Sequence, residues 1–176
     1  MNFLIVLVRK LCYKIDSLLA KQQFKGAVLD NVSIGVELNR RFEIRHPENL
    51  RIGYKTAIAG DCFINAWGGV SIGKYCHIAK GLTLYSHNHN FKSREYIPYD
   101  RENIKREVII GNCVWIGANV TIAPGANIED GVIISTGSVV FGHIPRCAII
   151  RGNPAQVIGY RDIDLYNALE KENRFM

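Results

Sequence analysis

The chain has 176 residues, a length typical of one domain, and a formal net charge of +6. Hydrophobic residues make up 48% and charged residues 22%, an ordinary balance for a globular protein and not that of a disordered chain. The Lys and Arg residues are scattered and do not alternate with aromatic residues along one element, which argues against nucleic acid as a partner. A solvated surface accounts for the excess charge, and an anionic small ligand is the next alternative.

The cysteine content points to a reducing compartment. Five cysteines are present, an odd number, and no Cys-x-x-Cys pair occurs. This pattern argues against a disulfide framework or a zinc site, so we expect a cytoplasmic protein.

Residues 1–28 precede any repeat and are predicted to form a helical segment. Apolar residues recur there at helical spacing, at Leu4, Val8, Leu11, Ile15, Leu18 and Leu19. The apolar run at residues 3–8 is too short to span a bilayer, and its flanks lack the features of a signal peptide. The helix either packs on the main body or lies on a membrane surface, with Arg9, Lys10 and Lys14 facing lipid headgroups.

From residue 52 onward, an aliphatic residue recurs every six positions, with one slip and one break. The three series are Ile52, Ile58, Ile64 and Val70; Ile72, Ile78 and Leu84; and Ile110, Ile116, Ile122, Ile128, Ile134 and Val140. A small residue usually follows each aliphatic, and another small or β-branched residue comes four positions after it. A step of six fits neither one face of a helix nor a long amphipathic strand.

Short parallel strands wound into coils explain this period. Three six-residue edges make one turn of a triangular prism, so each aliphatic stacks on the residue 18 positions later. We expect the small residue after each aliphatic to let the chain turn tightly at a corner. Cys62 and Cys76 fall at the small inward position, which predicts packing residues and not nucleophiles.

The segment IIGNCVWIGANVTIAPGANIEDGVIISTGSVVFGHIPRCAIIRGNPAQVIG, residues 109–159, resembles the C-terminal coils of the hexapeptide-repeat acyltransferases. That family includes maltose and galactoside O-acetyltransferases, serine acetyltransferase, and the O-acetyltransferases of capsule and O-antigen synthesis. The resemblance implies an all-β fold, a left-handed parallel β-helix, which assembles as a homotrimer and uses acetyl-CoA without a metal. We expect this domain at residues 29–160, followed by a helical tail at residues 161–176.

The repeat is interrupted at residues 85–107 by a polar, aromatic and charged segment that begins YSHNHNF. A loop of this length in a compact repeat fold is usually functional. His87 and His89 could share a metal ion if His77 or His143 supplied a third ligand. The γ-class carbonic anhydrases bind zinc through histidines on the same fold, but their full ligand pattern is not evident in this sequence.

A catalytic role needs only one of these histidines. An imidazole with an ordinary pKa of about 6.5 can remove the proton of a hydroxyl group as its oxygen attacks a thioester. Aligned by the hexad in IAKGLTLYSHNH, the resemblance implies His89 as the base, with His87 as the alternative. Both could also be solvated loop residues. Candidates for the acceptor pocket are Asp61, Asn65 and Tyr85.

The resemblance also implies where coenzyme A lies, in the groove between adjacent subunits. Trp115 would form a wall of that groove near the thiol, or it could pack against the neighbouring subunit. By register, Ala118 and Thr136 match positions that approach the pantetheine arm.

The chain departs from the family just beyond these positions. Many relatives have Thr-Lys where this chain has Phe141 and Gly142, so the lysine that helps to hold a phosphate is missing. We expect Phe141 and Gly142 still to line the cofactor site, with Arg151 or Arg161 replacing the lost charge.

Together these features predict an acetyl-CoA-dependent O-acetyltransferase that acts on a hydroxyl of a sugar or polysaccharide precursor by direct attack. N-acetyl transfer to an amino sugar is also open. The protein would be cytoplasmic and could contact the inner face of the membrane through its N-terminal helix. Two alternatives remain: a β-helix scaffold without catalytic activity, and a metal-dependent hydratase.

Overall fold

The structure is a computed structural model that describes residues 2–34 and 41–176. The predicted domain range 29–160 includes residues 35–40, which lie outside the described residues. The elements in chain order are helix α1 (Asn2–Gln23), β1 (Val28–Leu29), β2 (Ser33–Ile34), β3 (Phe42–Arg45), a 3-10 turn (Pro47–Asn49), β4 (Leu50–Ile52), β5 (Ala57–Ile58), β6 (Cys62–Asn65), β7 (Val70–Ile72), β8 (His77–Ile78), β9 (Thr83–Tyr85), β10 (His87–His89), β11 (Asn103–Lys105), β12 (Val108–Ile110), β13 (Trp115–Ile116), β14 (Thr121–Ile122), β15 (Asn127–Ile128), β16 (Ile133–Ile134), β17 (Val139–Val140), β18 (His143–Ile144), β19 (Ala148–Gly152), β20 (Ala155–Tyr160) and helix α2 (Ile163–Lys171).

Short parallel strands form the three faces of a triangular prism. The first face contains β1, β4, β7, β12, β15 and β18; the second contains β2, β5, β8, β13, β16 and β19; the third contains β3, β6, β9, β14 and β17. Successive strands belong to successive faces, so the chain winds as a parallel β-helix. The predicted fold class is confirmed.

The aliphatic residue of each hexad points into the prism. Ile122 pairs with Leu84 of the coil before it and with Val140 of the coil after it, and all three side chains are fully buried. The other predicted stacks have the same register, which confirms the interval of 18 residues. Each buried isoleucine stabilises the folded state by about 1.5–3 kcal/mol, so these columns hold the coils together.

The small residue after the aliphatic has a different role from the one we predicted. A Cβ atom added to Gly73 would lie 2.5 Å from the carbonyl oxygen of Gly111, and one on Gly117 would lie 2.6 Å from the amide nitrogen of Thr136. The left-handed backbone of the corner falls two residues later, for example at Asn119 with φ of 56°. The glycine therefore permits the close approach of two coils, while the following turn changes the direction of the chain.

The two inward cysteines are packing residues, as predicted. Cys62 and Cys76 are buried, and burial raises the pKa of both thiols to about 11. A thiol with such a pKa is protonated at neutral pH and is a poor nucleophile.

Helices lie at both ends of the chain, as predicted. Phe24, just after α1, is buried with its ring centroid 5.5 Å from that of Phe42 in β3. At the other end, β20 folds back antiparallel to β19, and α2 is held by an ion pair of 2.8 Å between Arg146 and Glu170. In the described part of the chain, neither helix has the length and apolar character that crossing a bilayer requires.

Candidate functional site

The loop between the third and first faces is folded, not irregular. The chain leaves the prism after Tyr85, and β10 and β11 pair antiparallel, with His87 opposite Lys105. The amide of Gly68 donates to the hydroxyl of Ser86 at 2.8 Å, and a Cβ atom on Gly68 would collide with the Ser86 carbonyl oxygen. This contact fixes the base of the hairpin. We call this edge, residues 86–107 with the turns at 123–126 and 141–142, the loop corner.

His87 lies in a half-buried position at the loop corner. Its ring centroid is 5.1 Å from that of Trp67 and 6.3 Å from that of His89. Burial, and then the nearby His89 and His46, lower the pKa of His87, which keeps its imidazole neutral at neutral pH. The Nδ1 atom of His87 is buried and has no hydrogen-bond partner among the described residues, an arrangement that is uncommon in folded proteins.

His89 is the exposed member of the pair. Its imidazole stacks on the phenol ring of Tyr99, with ring centroids 4.0 Å apart and an angle of 8° between the planes. Across residues 2–34 and 41–176, neither His87 nor His89 pairs with a carboxylate. The His89 imidazole is open to a ligand, and Tyr99 restricts the orientation of its ring.

The structure does not bring the two other proposed metal ligands to this pair. His143 lies on the first face and contacts the Glu129 carboxylate at 2.8 Å, while His77 lies on the second face beside Trp115. Within the described ranges, no group of three or more potential ligands is arranged to hold a metal ion.

Two of the three acceptor candidates lie together beside the histidines. Asn65 and Tyr85 are neighbours in the third face, and the Tyr85 ring centroid is 6.3 Å from that of His87. Asn65 is buried, and its side-chain oxygen accepts a hydrogen bond from the amide of Trp67 at 3.2 Å. Asp61 lies at the opposite end of β6, where it accepts a hydrogen bond from the amide of Arg41.

A second group of predicted residues gathers between the second and third faces. We call this edge, residues 117–120 and 135–138, the tryptophan corner, because Trp115 precedes it. The Trp115 side chain is 56% exposed and borders a shallow recess of about 300 Å³ floored by alanines, including Ala57 and Ala79. The carbonyl oxygen of Ala118 accepts a hydrogen bond from Gly137, the residue after Thr136, so Ala118 and Thr136 lie on adjacent turns.

The remaining cofactor candidates are divided among the edges of the prism. Arg151 lies near the tryptophan corner, since the amide of Gly152 donates to the Ser138 hydroxyl at 3.3 Å. Phe141 and Gly142 lie in the loop corner. Arg161 lies at the remaining edge, where its Nε donates to the carbonyl of Gly131 at 2.6 Å. Within one protomer, Trp115, Ala118 and Thr136 therefore lie at a different edge from His89, whereas Phe141 and Gly142 share the loop corner with it.

Several residues around His87 were missed by sequence reasoning. Trp67 stacks on His46 at 5.3 Å between ring centroids, and the Lys105 ammonium lies 5.4 Å from the Trp67 ring centroid. These three residues come from distant parts of the sequence, which carries no signal for their contact. The Gly-Gly pair after Trp67 is the one local hint that another segment of chain approaches closely.

Comparison with known proteins shows what the coils of this chain are similar to. A family model described as bacterial transferase hexapeptide (six repeats) matches residues 107–142. A lipopolysaccharide biosynthesis O-acetyl transferase by name, WbbJ of Escherichia coli (strain K12), is 41% identical over 96 residues, covering 51% of this chain and 49% of WbbJ. A Lysinibacillus sphaericus protein named as a macrolide acetyltransferase is 36% identical over 109 residues, covering 53% of this chain and 61% of that protein.

Among solved structures, a galactoside acetyltransferase in complex with coenzyme A is 28% identical, with a TM-score of 0.62, covering 76% of this chain and 66% of that chain. The chain spans about half to three fifths of the two curated relatives, 49% and 61% of their lengths. The matched repeats coincide with the coils that carry the tryptophan corner. Residues 107–142 therefore match the hexapeptide-repeat family of bacterial transferases, and the chain is similar in sequence and fold to acetyltransferases.

Proposed function

We propose that the protein transfers an acetyl group from acetyl-CoA to a hydroxyl of a sugar in a surface polysaccharide precursor, with His89 as general base. The observation that carries this proposal is the exposed imidazole of His89, oriented by Tyr99 beside a cluster of aromatic side chains. The similarity to acetyltransferases, one of which was solved with coenzyme A, supports the cosubstrate.

In the proposed reaction, His89 removes the proton of the acceptor hydroxyl as its oxygen attacks the thioester carbonyl. Collapse of the tetrahedral intermediate breaks the carbon–sulfur bond and forms the ester. The departing thiolate takes up the proton, which leaves His89 neutral for the next turnover. The reaction requires neither an enzyme-bound acetyl group nor a metal ion.

His89 is preferred over His87 because of its access to ligands. The proton-accepting atom must come within about 2.6–3.2 Å of the acceptor hydroxyl, and His89 is exposed at the end of β10. His87 is held in a half-buried position, and its lowered pKa makes a charged state unfavourable. We assign His87 the secondary role of supporting the hairpin, and it remains the alternative base.

The separation of the two corners supports a site shared between copies of the chain. A homotrimer would place the loop corner of one subunit against the tryptophan corner of the next. The groove between them would hold the pantetheine arm along Trp115, Ala118 and Thr136, with its thioester near the His89 of the other subunit. A closed cyclic arrangement gives three equivalent sites.

The aromatic residues beside the histidines favour a sugar acceptor. The exposed Tyr85 ring lies 5.0 Å from that of Phe63 between centroids, and Tyr99 lies beyond His89. Flat aromatic rings suit the apolar face of a pyranose. The side-chain amide of Asn65 would fix the position of the bound sugar. Asp61, at the other end of β6, could take part only through the neighbouring subunit's site.

The experiment is a screen of hydroxylated and amino sugars with acetyl-CoA, in which released thiol is measured and a macrolide is included as a rival acceptor. We expect turnover with a sugar hydroxyl, a loss of about 10²–10⁴-fold in His89→Asn, and no loss in the control His143→Asn. Each variant should still gain thermal stability from acetyl-CoA. Full turnover in His89→Asn, or no stabilisation of the wild type by acetyl-CoA, would reject the proposal.

We also infer that α1 holds the protein at the cytoplasmic face of a membrane. Its apolar residues Leu7, Leu11 and Leu18 lie on one side of the helix and are exposed, whereas Ala20 and Phe24 face the body. The helix carries four basic residues and one acidic residue, which suits an anionic lipid surface. Such a position would bring the site close to a lipid-linked acceptor.

A further inference from the structure

The hairpin formed by β10 and β11 has two sides with different chemistry. In an antiparallel pair, the side chains of two residues that lie directly opposite each other project to the same side. His87 lies opposite Lys105, and His89 lies opposite Asn103. We call the side that carries these four residues the histidine side. Asn88, between the two histidines, projects to the other side. The histidine side therefore carries a lysine close to the proposed base.

The ammonium group of Lys105 is held in place on this side. Its Nζ atom lies 5.4 Å from the centroid of the Trp67 ring, which is a cation–π contact. The Trp67 ring in turn contacts two imidazoles, with centroid distances of 5.3 Å to His46 and 5.1 Å to His87. These contacts restrict a side chain that is otherwise long and flexible, and they keep its charge beside the histidines.

Lys105 is exposed and has no carboxylate partner among residues 2–34 and 41–176. The other cations of this region do have one. Arg45 forms an ion pair of 2.7 Å with Glu43, and His46 contacts the carboxylate of Glu48 at 3.3 Å. The charge of Lys105 is therefore available to an anion that comes from outside the described chain.

Two buried polar atoms on the histidine side also lack a hydrogen-bond partner within the described ranges. They are Nδ1 of His87 and Oδ1 of Asn103. The side-chain nitrogen of Asn103 donates to the carbonyl of Arg101 at 3.3 Å, so the amide oxygen is an unused acceptor. Unpartnered buried polar atoms are uncommon in folded proteins. Beside a proposed catalytic base, they indicate a place where the hydroxyl groups of a ligand, or an ordered water, can bind.

We propose that the histidine side selects an acceptor sugar that carries an anionic group, a carboxylate or a phosphate, with Lys105 as the specificity-determining residue. The inference rests on the proposed function, because it names the class of acceptor for the same site. Residues placed diagonally across an antiparallel pair, as His89 and Lys105 are, lie about 7–8 Å apart. One sugar ring can bridge this distance, with its oxyanion at the ammonium group and a ring hydroxyl at the His89 imidazole.

The test compares charged and neutral forms of the same sugar as acetyl acceptors. For glucose, galactose and mannose, the methyl glycoside is compared with its uronate and with its uronamide, which has the shape of the uronate without the charge. We expect kcat/KM for a uronate, or for the corresponding sugar 1-phosphate, to exceed that for the neutral forms by about tenfold. A preference for the uronate would place the anion on the sugar itself. A preference for the 1-phosphate would place it in the linkage to a carrier, and either result supports the inference.

Variants of the lysine test which group confers the preference. Lys105→Gln should lower kcat/KM for the anionic acceptor by about tenfold and that for the neutral forms by less than about twofold. Lys105→Arg keeps the charge and should keep the preference. Lys92→Gln is the matched control, because Lys92 comes from the same loop but borders a groove on the other side of the hairpin, with Asn88 and Arg106. It should show the wild-type preference.

Salt provides an independent check on the variants. The preference of the wild type for anionic acceptors should weaken as salt increases, since ions screen an exposed charge. Equal kcat/KM for charged and neutral sugars in the wild type, or an undiminished preference in Lys105→Gln, would overturn the inference.

Binding measurements separate the failure of this inference from the failure of the proposed function. Calorimetry with the uronates and the sugar 1-phosphates measures affinity without turnover. Binding that depends on Lys105, without acetyl transfer to any sugar, would retain the anion site and reject the reaction. Acetyl transfer to sugars without a preference for the anionic forms would do the reverse. A wild type that neither binds nor acetylates these sugars would reject both.

Discussion

The imidazole of His89 lies parallel to the phenol ring of Tyr99, with 4.0 Å between the ring centroids. The two residues are ten positions apart, and the hairpin formed by β10 and β11 brings their segments together. A stacked aromatic contact stabilises its geometry by about 0.5–1.5 kcal/mol, enough to favour one orientation of the imidazole. Tyr99 is therefore a positioning residue for the proposed base.

Removal of the Tyr99 ring should lower kcat without changing the affinity for coenzyme A. We expect Tyr99→Ala to reduce kcat by up to about tenfold, since the lost contact is worth about 0.5–1.5 kcal/mol, and to leave the Kd of coenzyme A unchanged. Tyr99→Phe keeps the ring and should restore the wild-type kcat. Steady-state kinetics of the three proteins measure this, and a phenylalanine variant as slow as the alanine variant would contradict a stacking role.

The half-buried His87 predicts a specific loss of stability in weak acid. Its pKa is lower in the folded protein than the ordinary value of about 6.5, so the unfolded chain binds a proton at pH values where folded His87 does not. His87 therefore contributes fully to the free energy of unfolding above about pH 6.5, and its contribution decreases as the pH falls below this value. Between about pH 7.5 and about pH 5.5, the Tm of the wild type should fall more than that of His87→Asn.

Thermal unfolding at several pH values checks this prediction. Hydrogen bonds lower the pKa values of Asp100 and Glu129, so these carboxylates titrate below this pH range. They therefore do not affect the comparison of the two proteins. Parallel curves for the wild type and His87→Asn would show that His87 does not carry the effect.

The stacked aliphatic columns predict a strong contrast between two isoleucines. Ile122 is fully buried between Leu84 and Val140, whereas Ile109 points outward from the first face and is 43% exposed. We expect Ile122→Ala to reduce the free energy of unfolding by about 2–5 kcal/mol, because it leaves a cavity inside the prism. Ile109→Ala should change it by less than about 0.5 kcal/mol. Urea denaturation compares the two, and similar costs would contradict the inward stacking.

The exposed side of α1 predicts binding to anionic vesicles. The wild type should sediment with vesicles that contain phosphatidylglycerol and not with phosphatidylcholine alone, since both apolar contact and charge attraction contribute. Leu11→Glu and Leu18→Glu should abolish sedimentation. Leu165→Glu, at an exposed position in α2, is the matched control and should bind normally. If the α1 variants instead lose their oligomeric state, the helix contacts another copy of the chain.

The coils were predictable because their rule is local and repeats. Each hexad places an aliphatic inward and leaves room for the next coil, so the register of Ile122 with Val140 follows from the period alone. The role of glycine was harder to predict, because the contact that excludes a Cβ atom at Gly73 comes from Gly111, 38 residues later. Sequence reasoning identified the small residue but assigned it to the turn.

The site was less predictable because residues 86–107 have no period. The histidines could be chosen by their chemistry, but the stacking of Tyr99 on His89 and the packing of Trp67 against His87 depend on pairing between distant strands. The positions of Arg106 and Lys92 beside Phe141 also depend on how the loop folds back on the coil. Residues brought together by long-range pairing carry no local signal.

Subunit mixing tests the central claim most directly, because the proposed site needs His89 from one copy and the tryptophan corner from another. His89→Asn lacks the base, and Ala118→Trp fills the pantetheine groove, so each variant alone should be inactive. Trimers formed at random from equal amounts contain an intact site at about a quarter of their interfaces, and we expect about a quarter of the wild-type activity from the mixture. An inactive mixture, in which mixed trimers are demonstrated by mass spectrometry, would contradict a site shared between subunits.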